Sequence, residues 1–255
     1  MLTEERMMRL IKLLHKWLSV VVALQLLIWL SSGLFFNLMD HSKAKGNANK
    51  IKVTQPTLID HVRLLPPSGI LSKLEFTGDK QIKPRQINSL KLIQLLNQPY
   101  YLLNHKQGLY THFYNEHSLI NAYNGEIKVI DDVMAKALAK TTYNGSGDVI
   151  SVLKRLPPLD DMLKEENSTW QVNFNDAENT SVYIDASSGR IVGHSNDDKR
   201  FADFFFKLHF MDYGMMGKMG GFNNGLIIFF SLITLLFFLS GAVWVIELLK
   251  KGRYK

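Results

Sequence analysis

LLHKWLSVVVALQLLIWLSSGLFFNLM, residues 13–39, contains an apolar run long enough to cross a lipid bilayer. Residues 18–39 include no Asp, Glu, Lys or Arg, and about 20 apolar residues are enough for a helix to span the hydrocarbon core. The front end differs, because His15 stands there between Lys12 and Lys16. The stretch therefore predicts a transmembrane helix with an imidazole near its N-terminal end, and it raises the question of what that imidazole does.

A second uncharged run, residues 226–246, predicts another spanning helix near the opposite end of the chain. The residues between the two runs have the mixed composition of a water-soluble domain. The apolar core of a signal peptide covers about 7–15 residues, so the first run is too long for one and we expect an uncleaved anchor. The predicted architecture is two transmembrane helices that bracket one soluble domain.

Basic residues mark the outer flank of each run, and they predict the orientation. Cytoplasmic loops next to transmembrane helices carry an excess of Lys and Arg. The flanking cations are Arg6, Arg9, Lys12, Lys16, Lys250, Lys251, Arg253 and Lys255. We therefore expect both termini in the cytoplasm of a bacterium, the helices in its inner membrane and the middle domain in the periplasm.

Charge and composition exclude several classes of function. The net charge is +7, but residues 41–200 hold 20 Lys and Arg against 17 Asp and Glu, so no basic surface for nucleic acid is predicted. The absence of cysteine excludes disulfides, iron–sulfur clusters, covalent c-type haem and thiol catalysis. No Ser-His-Asp order, HExxH, P-loop or dinucleotide-binding motif is present.

The middle domain contains a pattern that occurs twice. Residues 100–130 and 169–194 both alternate polar and apolar residues as strands do, and each has a turn at a glycine, Gly125 or Gly189. The two glycines are 64 positions apart. We interpret the pattern as an internal duplication of a unit that contains an antiparallel hairpin or meander.

Each unit is also predicted to begin with a helix. Residues 87–97 have apolar side chains at helical spacing, and residues 132–140 show the same spacing more clearly. Residues 149–156 are a second short helix candidate in the later unit. Each half is therefore predicted to be a helix followed by antiparallel strands.

The sequence around the second turn resembles a PepSY repeat. In the last strands of such a repeat, a valine or tyrosine precedes an aspartate, a glycine follows after three residues, and an isoleucine or valine stands two positions after the glycine. Here the matching residues are Tyr183, Asp185, Gly189 and Ile191. The first repeat fits this pattern more loosely.

The two apolar runs resemble the first and last helices of PepSY-associated transmembrane proteins. The matching motifs are His15-Lys16-Trp17-Leu18 and Ser32-Gly33 in the first run, and Leu208-His209, a glycine-rich stretch and Ser240-Gly241 around the last one. The resemblance implies an α+β membrane protein with a segment 1–43 that contains the first span, PepSY-like repeats at 44–130 and 131–200, and a segment 201–255 that contains the second span.

The same resemblance implies a function and a cofactor. Proteins of this family are regarded as inner-membrane electron-transfer proteins that carry b-type haem, and several are linked to the reduction of ferric iron or ferric siderophores during iron uptake. A protein of that kind would be a haem-dependent ferric reductase. Many relatives have four spans, whereas two are predicted here, so a second copy of the chain would be needed to build an equivalent bundle.

Histidines are the expected axial ligands, because imidazole on both faces of a b-type haem gives an electron-transferring iron. The resemblance assigns His15 first and His209 second, and His41 is a third candidate just beyond the first span. Simpler roles are open for all three. His15 would be an interfacial residue beside Trp17, His209 would lie on an aromatic helix at the outer leaflet, and His41 would be part of a linker.

The expected depths of these histidines predict an assembly. His15 and the outer end of its helix are roughly 35 Å apart at about 1.5 Å per residue, so His15 and His209 cannot ligate one iron within a single chain. A homodimer would pair His15 with its copy, and His209 with its copy or with His41; alternatively, a partner membrane protein would supply the missing ligand. Small residues that permit close helix approach in lipid are Ser31, Ser32, Gly33, Ser240 and Gly241.

Three further hypotheses remain open at this stage. Thioether sulfurs suit Cu(I), and Met211, Met215, Met216 and Met219 would offer them. A metal site on the first hairpin would use His105, His112 and His117 together with Glu116, with 105 and 117 on one strand face if no bulge intervenes. Because PepSY repeats also occur in peptidase propeptides, the chain could instead be a non-redox accessory module that binds or regulates a peptidase or a transporter.

Overall fold

The computed structural model describes residues 4–51, 58–76, 86–212 and 225–252. The chain divides into two compact units, which we call the membrane unit (Met1–Asp40 and Phe201–Lys255) and the sheet unit (His41–Arg200). The helices are α1 (Glu4–Leu38), α2 (His41–Ala44), α3 (Pro67–Phe76), α4 (Asp132–Thr142), α5 (Asp197–His209) and α6 (Gly225–Lys250), with a short 3₁₀ turn at His61–Arg63. The strands are β1 (Ser89–Leu95), β2 (Gln98–Lys106), β3 (Glu116–Asn121), β4 (Ile127–Lys128), β5 (Val149–Arg155), β6 (Thr169–Phe174), β7 (Ser181–Asp185) and β8 (Ile191–Ser195).

The membrane unit is built on two long apolar helices, as predicted. α1 has 35 residues and α6 has 26, and both are long and apolar enough to cross a membrane. Only 17% and 11% of their most apolar windows are buried, which differs from the buried core helix of a soluble protein. The two helices pack through Val22 and Trp29 of α1 against Phe230 of α6, with the Trp29 and Phe230 ring centroids 5.5 Å apart.

The sheet unit contains two halves with the same order of elements. Each half has a helix followed by a four-stranded antiparallel sheet, with strand orders β1-β2-β3-β4 and β5-β6-β7-β8. Each sheet has a glycine turn before its last strand, and the two glycines are 64 positions apart in the sequence. Gly125 and Gly189 have φ of 75° and 72°, and their amides donate to the carbonyls of Asn121 and Asp185, both at 2.9 Å. Glycine suits this left-handed position because it has no Cβ to clash.

The two faces of the first sheet serve two different cores, since neighbouring strand residues point to opposite sides. Tyr101, Leu103 and Ile120 pack against Ile70 of α3. On the other face, Tyr100 and Leu119 join a larger cluster, whose buried members from α4 and the second sheet include Met134, Ala135, Leu138, Ala139, Val172, Phe174, Val182 and Ile184. The second sheet and α4 therefore share one core with the back of the first sheet.

Two of the predicted helices are wrong and one is confirmed. Residues 87–97 contain strand β1, and residues 149–156 contain strand β5. Both runs are short, and a short apolar run fits a strand as readily as a helix until its pairing partner is known. Residues 132–140 lie within α4, where the carboxylate of Asp131 caps the first turn by accepting from the Met134 amide at 2.7 Å.

Candidate functional site

His15 packs against α6 at one end of the helix pair. Its Nδ1 lies 3.0 Å from Oγ of Ser240 and 3.3 Å from the carbonyl oxygen of Phe237. The imidazole stacks on the Phe237 ring with centroids 4.5 Å apart, and the Trp244 ring meets it edge-on at 5.6 Å. Two aromatic rings and one serine thus fix the plane of a half-buried imidazole.

Gly241 makes this approach possible. A Cβ at that position would lie 2.9 Å from Cε1 of His15 and 3.4 Å from its Nδ1. Any side chain would therefore push the imidazole away from α6. Ser240 thus forms a hydrogen bond with the His15 imidazole, and Gly241 leaves the space that this ring needs beside α6.

His209 occupies an analogous place at the other end of the helix pair. Its Nδ1 lies 2.9 Å from Oγ of Ser32 on α1, and its ring meets Phe36 edge-on at 5.4 Å. The aromatic residues of α5 position it, because Phe205 stacks on Phe35 at 4.1 Å and Phe206 stacks on Phe36 at 4.4 Å. His15 and His209 therefore each contact the serine of a Ser-Gly pair on another helix.

The two imidazoles are too far apart to share an iron within one chain. His15 and Ser32 are 17 positions apart on α1, which corresponds to about 25 Å along a helix that rises about 1.5 Å per residue. The structure contains no group of three or more His, Asp or Glu side chains that could hold a metal, within the described ranges. Each end of the helix pair thus presents one imidazole with aromatic rings beside it.

The other predicted ligands lie elsewhere. His41 is exposed at the first position of α2, in the sheet unit. Met211 is buried in the apolar cluster with Val22 and Phe230, while the remaining methionines of the copper hypothesis (Met215, Met216 and Met219) lie outside the described residues.

The histidines of the first hairpin have separate hydrogen-bond partners. His117 pairs with Asn104 across β2 and β3, so His105, the next residue on β2, points to the opposite face of the sheet and does not share a face with His117. A register shift between Asn104 and Lys106 also interrupts the pairing. Nε2 of His105 lies 2.9 Å from Oγ of Ser118, and Nδ1 of His117 lies 3.2 Å from Oγ of Ser187. Burial lowers the pKa of His117, so its neutral form is favoured.

Sequence reasoning missed a cavity on the outer face of the second sheet. The cavity has a volume of about 480 Å³ and is lined by residues of β5, β6, β7, α5 and the loop before β6. Among the lining residues, Asp161 accepts from the hydroxyl of Tyr183 at 3.1 Å and from Nε of Arg200 at 3.2 Å. Burial alone would raise the pKa of Asp161, but the hydrogen bonds and the Arg200 charge lower it.

A partly buried ion pair between Glu165 and Arg190 was also missed. Glu165, whose side chain is 2% exposed, binds Nη2 of Arg190 at 2.8 Å. Nδ2 of the Asn167 side chain donates to the carbonyl oxygen of Phe113 at 2.8 Å, which connects the two halves of the sheet unit. No spacing rule links these positions, because the contacts join loops that are distant in the sequence.

Comparison with known proteins identifies the second repeat. Residues 130–194 match the family model described as the peptidase propeptide and YPEB domain, PepSY. No curated protein and no solved structure matches the chain. The second repeat is a PepSY domain, as predicted, and together with the two apolar helices it is consistent with a PepSY-associated two-span membrane protein.

Proposed function

We propose that this PepSY-domain protein is a b-type-haem electron-transfer protein of the bacterial inner membrane. It would reduce a periplasmic acceptor, ferric iron or a ferric siderophore, during iron uptake. The observation that carries the proposal is the fixed imidazole at each end of the helix pair, where Nδ1 of His15 and of His209 lies within 3.0 Å of a serine Oγ. Nε2 would then be the atom that binds iron. Bound haem would supply the one-electron chemistry, while the protein supplies binding and orientation.

The residues around His15 suit an axial ligand. Phe237 and Trp244 cover the imidazole with apolar rings, which limits access of water. Gly241 lets the ring rest against the α6 backbone, so its position is set by close packing. A ligand held in this way loses little conformational freedom when it binds iron.

The spacing of the two imidazoles supports a homodimer. His15 and Ser32, the contact of His209, are about 25 Å apart along α1. One chain would therefore present one ligand at each membrane face. A second copy related by a two-fold axis would pair His15 with His15 and His209 with His209, and the two spans of each chain would form a four-helix bundle. A partner membrane protein that supplies the second ligand is the alternative assembly.

The orientation follows from the basic flanks of the two spans. Arg6, Arg9, Lys250 and Lys251 lie beyond the apolar runs, at the ends that the positive-inside rule assigns to the cytoplasm. The PepSY domain would then face the periplasm, and His209 would lie at the face where the acceptor arrives. Electrons would enter at the His15 face or from quinol.

The test is the visible spectrum of the full-length protein, purified from cells with ample haem. We expect a Soret band and one haem per chain. His15→Ala and His209→Ala should each remove about half of the haem, and the double variant should remove all of it, since each pair of equivalent histidines would hold one haem. His61→Ala, which replaces an exposed histidine of the sheet unit, is the matched control and should retain full occupancy. A protein without a Soret band under these conditions would contradict the proposal.

A second candidate function is a non-redox accessory module for a peptidase or a transporter. It is favoured by the PepSY match and by the cavity of about 480 Å³ on that domain. The His15→Ala, His209→Ala double variant separates the two functions in a growth assay under iron limitation. Full growth of the double variant would assign the activity to the sheet unit, and loss of growth with normal protein levels would favour electron transfer.

A further inference from the structure

The two serine hydroxyls in the membrane unit have already used their hydrogens. Oγ of Ser240 donates to the carbonyl oxygen of Phe237 at 2.8 Å, and Oγ of Ser32 donates to the carbonyl oxygen of Ile28 at 2.7 Å. A carbonyl oxygen can only accept, and a hydroxyl has a single hydrogen to give. Each Oγ can therefore take part in a further hydrogen bond only as an acceptor.

The imidazoles must then be the donors. Nδ1 of His15 faces two acceptors, Oγ of Ser240 at 3.0 Å and the carbonyl oxygen of Phe237 at 3.3 Å. Nδ1 of His209 faces Oγ of Ser32 at 2.9 Å. A lone pair on either Nδ1 would point at another lone pair and would be repelled. A neutral imidazole carries one hydrogen, so the hydrogen is on Nδ1 and the lone pair is on Nε2.

We infer that Ser240 and Ser32 are positioning residues that hold His15 and His209 in the tautomer with the hydrogen on Nδ1 and a free lone pair on Nε2. The tautomer follows from the hydrogen bonds alone. Its use rests on the proposed function, because the free Nε2 is the atom that would bind a haem iron. The two serines thus select the nitrogen that remains for ligation.

The effect on ligand binding has a known physical basis. A histidine that donates its other N–H to a fixed acceptor is held in one orientation, and its ligating nitrogen becomes more basic. Removal of such an acceptor lowers metal affinity by about 10–100-fold. We expect the loss at Ser32 to exceed the loss at Ser240, because the Phe237 carbonyl remains as a second acceptor for His15.

The tautomers can be measured directly, without haem. The full-length protein with ¹⁵N-labelled histidine would be prepared in lipid nanodiscs at a pH where the imidazoles are neutral, and the ring nitrogens would be recorded by long-range ¹H–¹⁵N correlation. His15→Ala and His209→Ala assign the signals. We expect both wild-type rings to show a protonated Nδ1 and a bare Nε2. A protonated Nε2 on both rings in the wild type would overturn the inference.

Variants add a second arm to this experiment. Ser32→Ala should shift His209 toward a mixture of tautomers and leave His15 unchanged, whereas Ser32→Thr keeps a hydroxyl and should preserve the wild-type signal. Ser31→Ala is the matched control, because Ser31 is the exposed neighbour on the same helix. An unchanged His209 signal in a folded Ser32→Ala protein would show that the serine does not set the tautomer.

Haem titration separates this inference from the proposed function. A protein that shows the predicted tautomers but binds no haem would sustain the inference and refute the function. A protein that binds haem through both histidines with equal affinity in wild type and Ser32→Ala would sustain the function and refute the role of the serine.

Discussion

Gly33 and Gly241 both follow a serine, yet only one of them faces a histidine. A Cβ at Gly241 would lie 2.9 Å from Cε1 of His15, whereas a Cβ at Gly33 would have no atom within 4 Å. The Ser-Gly dipeptide therefore has different contacts on the two helices.

This difference predicts opposite effects of one substitution. Gly241→Ala should displace His15 and reduce the free energy of unfolding of the membrane unit by about 1–3 kcal/mol through overpacking. Gly33→Ala should be neutral or stabilise α1 by up to about 1 kcal/mol, since alanine favours helices. Thermal unfolding of both full-length variants in the same detergent measures the contrast. Equal midpoints would show that the contact with Gly241 does not restrain His15.

The residue scale also shows how far sequence reasoning extends. The sequence alone singled out His15 and His209, because an imidazole at the end of an apolar run is unusual and matches a family motif. Ser32 and Ser240 were predicted only as small residues that allow close packing. Their hydrogen bonds join positions 177 and 225 residues apart, and such contacts depend on which helix faces meet, which no local pattern specifies.

At the scale of the element, the duplicated turn contains a natural comparison. Asp185 is 1% exposed, and its Oδ1 accepts from the amides of Ser187 and Ser188 at 2.8 and 2.9 Å. Asn121 occupies the matching position in the first repeat, and its Oδ1 accepts from the Tyr123 amide at 2.8 Å. An amide oxygen and a carboxylate oxygen thus support the same turn.

We therefore expect Asp185→Ala and Asp185→Asn to differ. The alanine variant leaves buried amides without an acceptor and should destabilise the sheet unit by about 1–3 kcal/mol. The asparagine variant keeps the acceptor and should cost less than half as much. Urea unfolding of the full-length protein, followed by hydrogen exchange in peptides from β7 and β8, gives both values. If asparagine were as harmful as alanine, the charge would be the important feature, acting through Arg190 at 3.9 Å.

Element type was predictable where a local signal was strong. The glycine turns and α4 have such signals, namely a positive φ that favours glycine and a capping aspartate before a periodic helix. β1 and β5 were misassigned because their state depends on pairing. β1 pairs with β2 over seven residues through a hairpin at Leu96-Asn97. These two residues have positive φ values of 51° and 63°, but neither is a glycine, so the turn has no clear signal in the sequence.

At the scale of the whole molecule, the two units carry different chemistry. The membrane unit holds the imidazole–serine pairs, and the sheet unit holds the PepSY domain with its cavity. Composition and hydropathy correctly predicted the two apolar helices near the ends of the chain, since charge is nearly absent from these two spans and is nearly balanced in the residues between them. The number of chains in the assembly is not encoded in any local pattern, because it depends on surfaces that meet only between molecules.

The sheet unit should also lose stability in mild acid, because it buries a neutral histidine. His194 on β8 is 2% exposed, and its Nε2 lies 2.9 Å from Oγ1 of Thr142 on α4. Its Nδ1 is buried without a hydrogen-bond partner among the described residues, so protonation would place a charge and an unpaired N–H in the core. Burial, followed by the charge of Lys50, lowers the pKa of His194 to about 4.

The sign of the pH dependence follows from this shift. An unfolded histidine titrates near pH 6.5, so the unfolded chain binds a proton more readily than the folded one. The stability that neutral His194 provides is fully present above about pH 6.5 and is lost as the pH falls toward 4. Between pH 7.5 and 5 the loss should be about 2 kcal/mol, at about 1.4 kcal/mol per pH unit.

Urea unfolding of the full-length protein, read from hydrogen exchange in α4 and β8, measures this loss of stability. His194→Gln should remove most of this slope and leave the smaller part due to His117, whose pKa is also lowered. A variant that kept the full slope would show that another group controls the acid sensitivity.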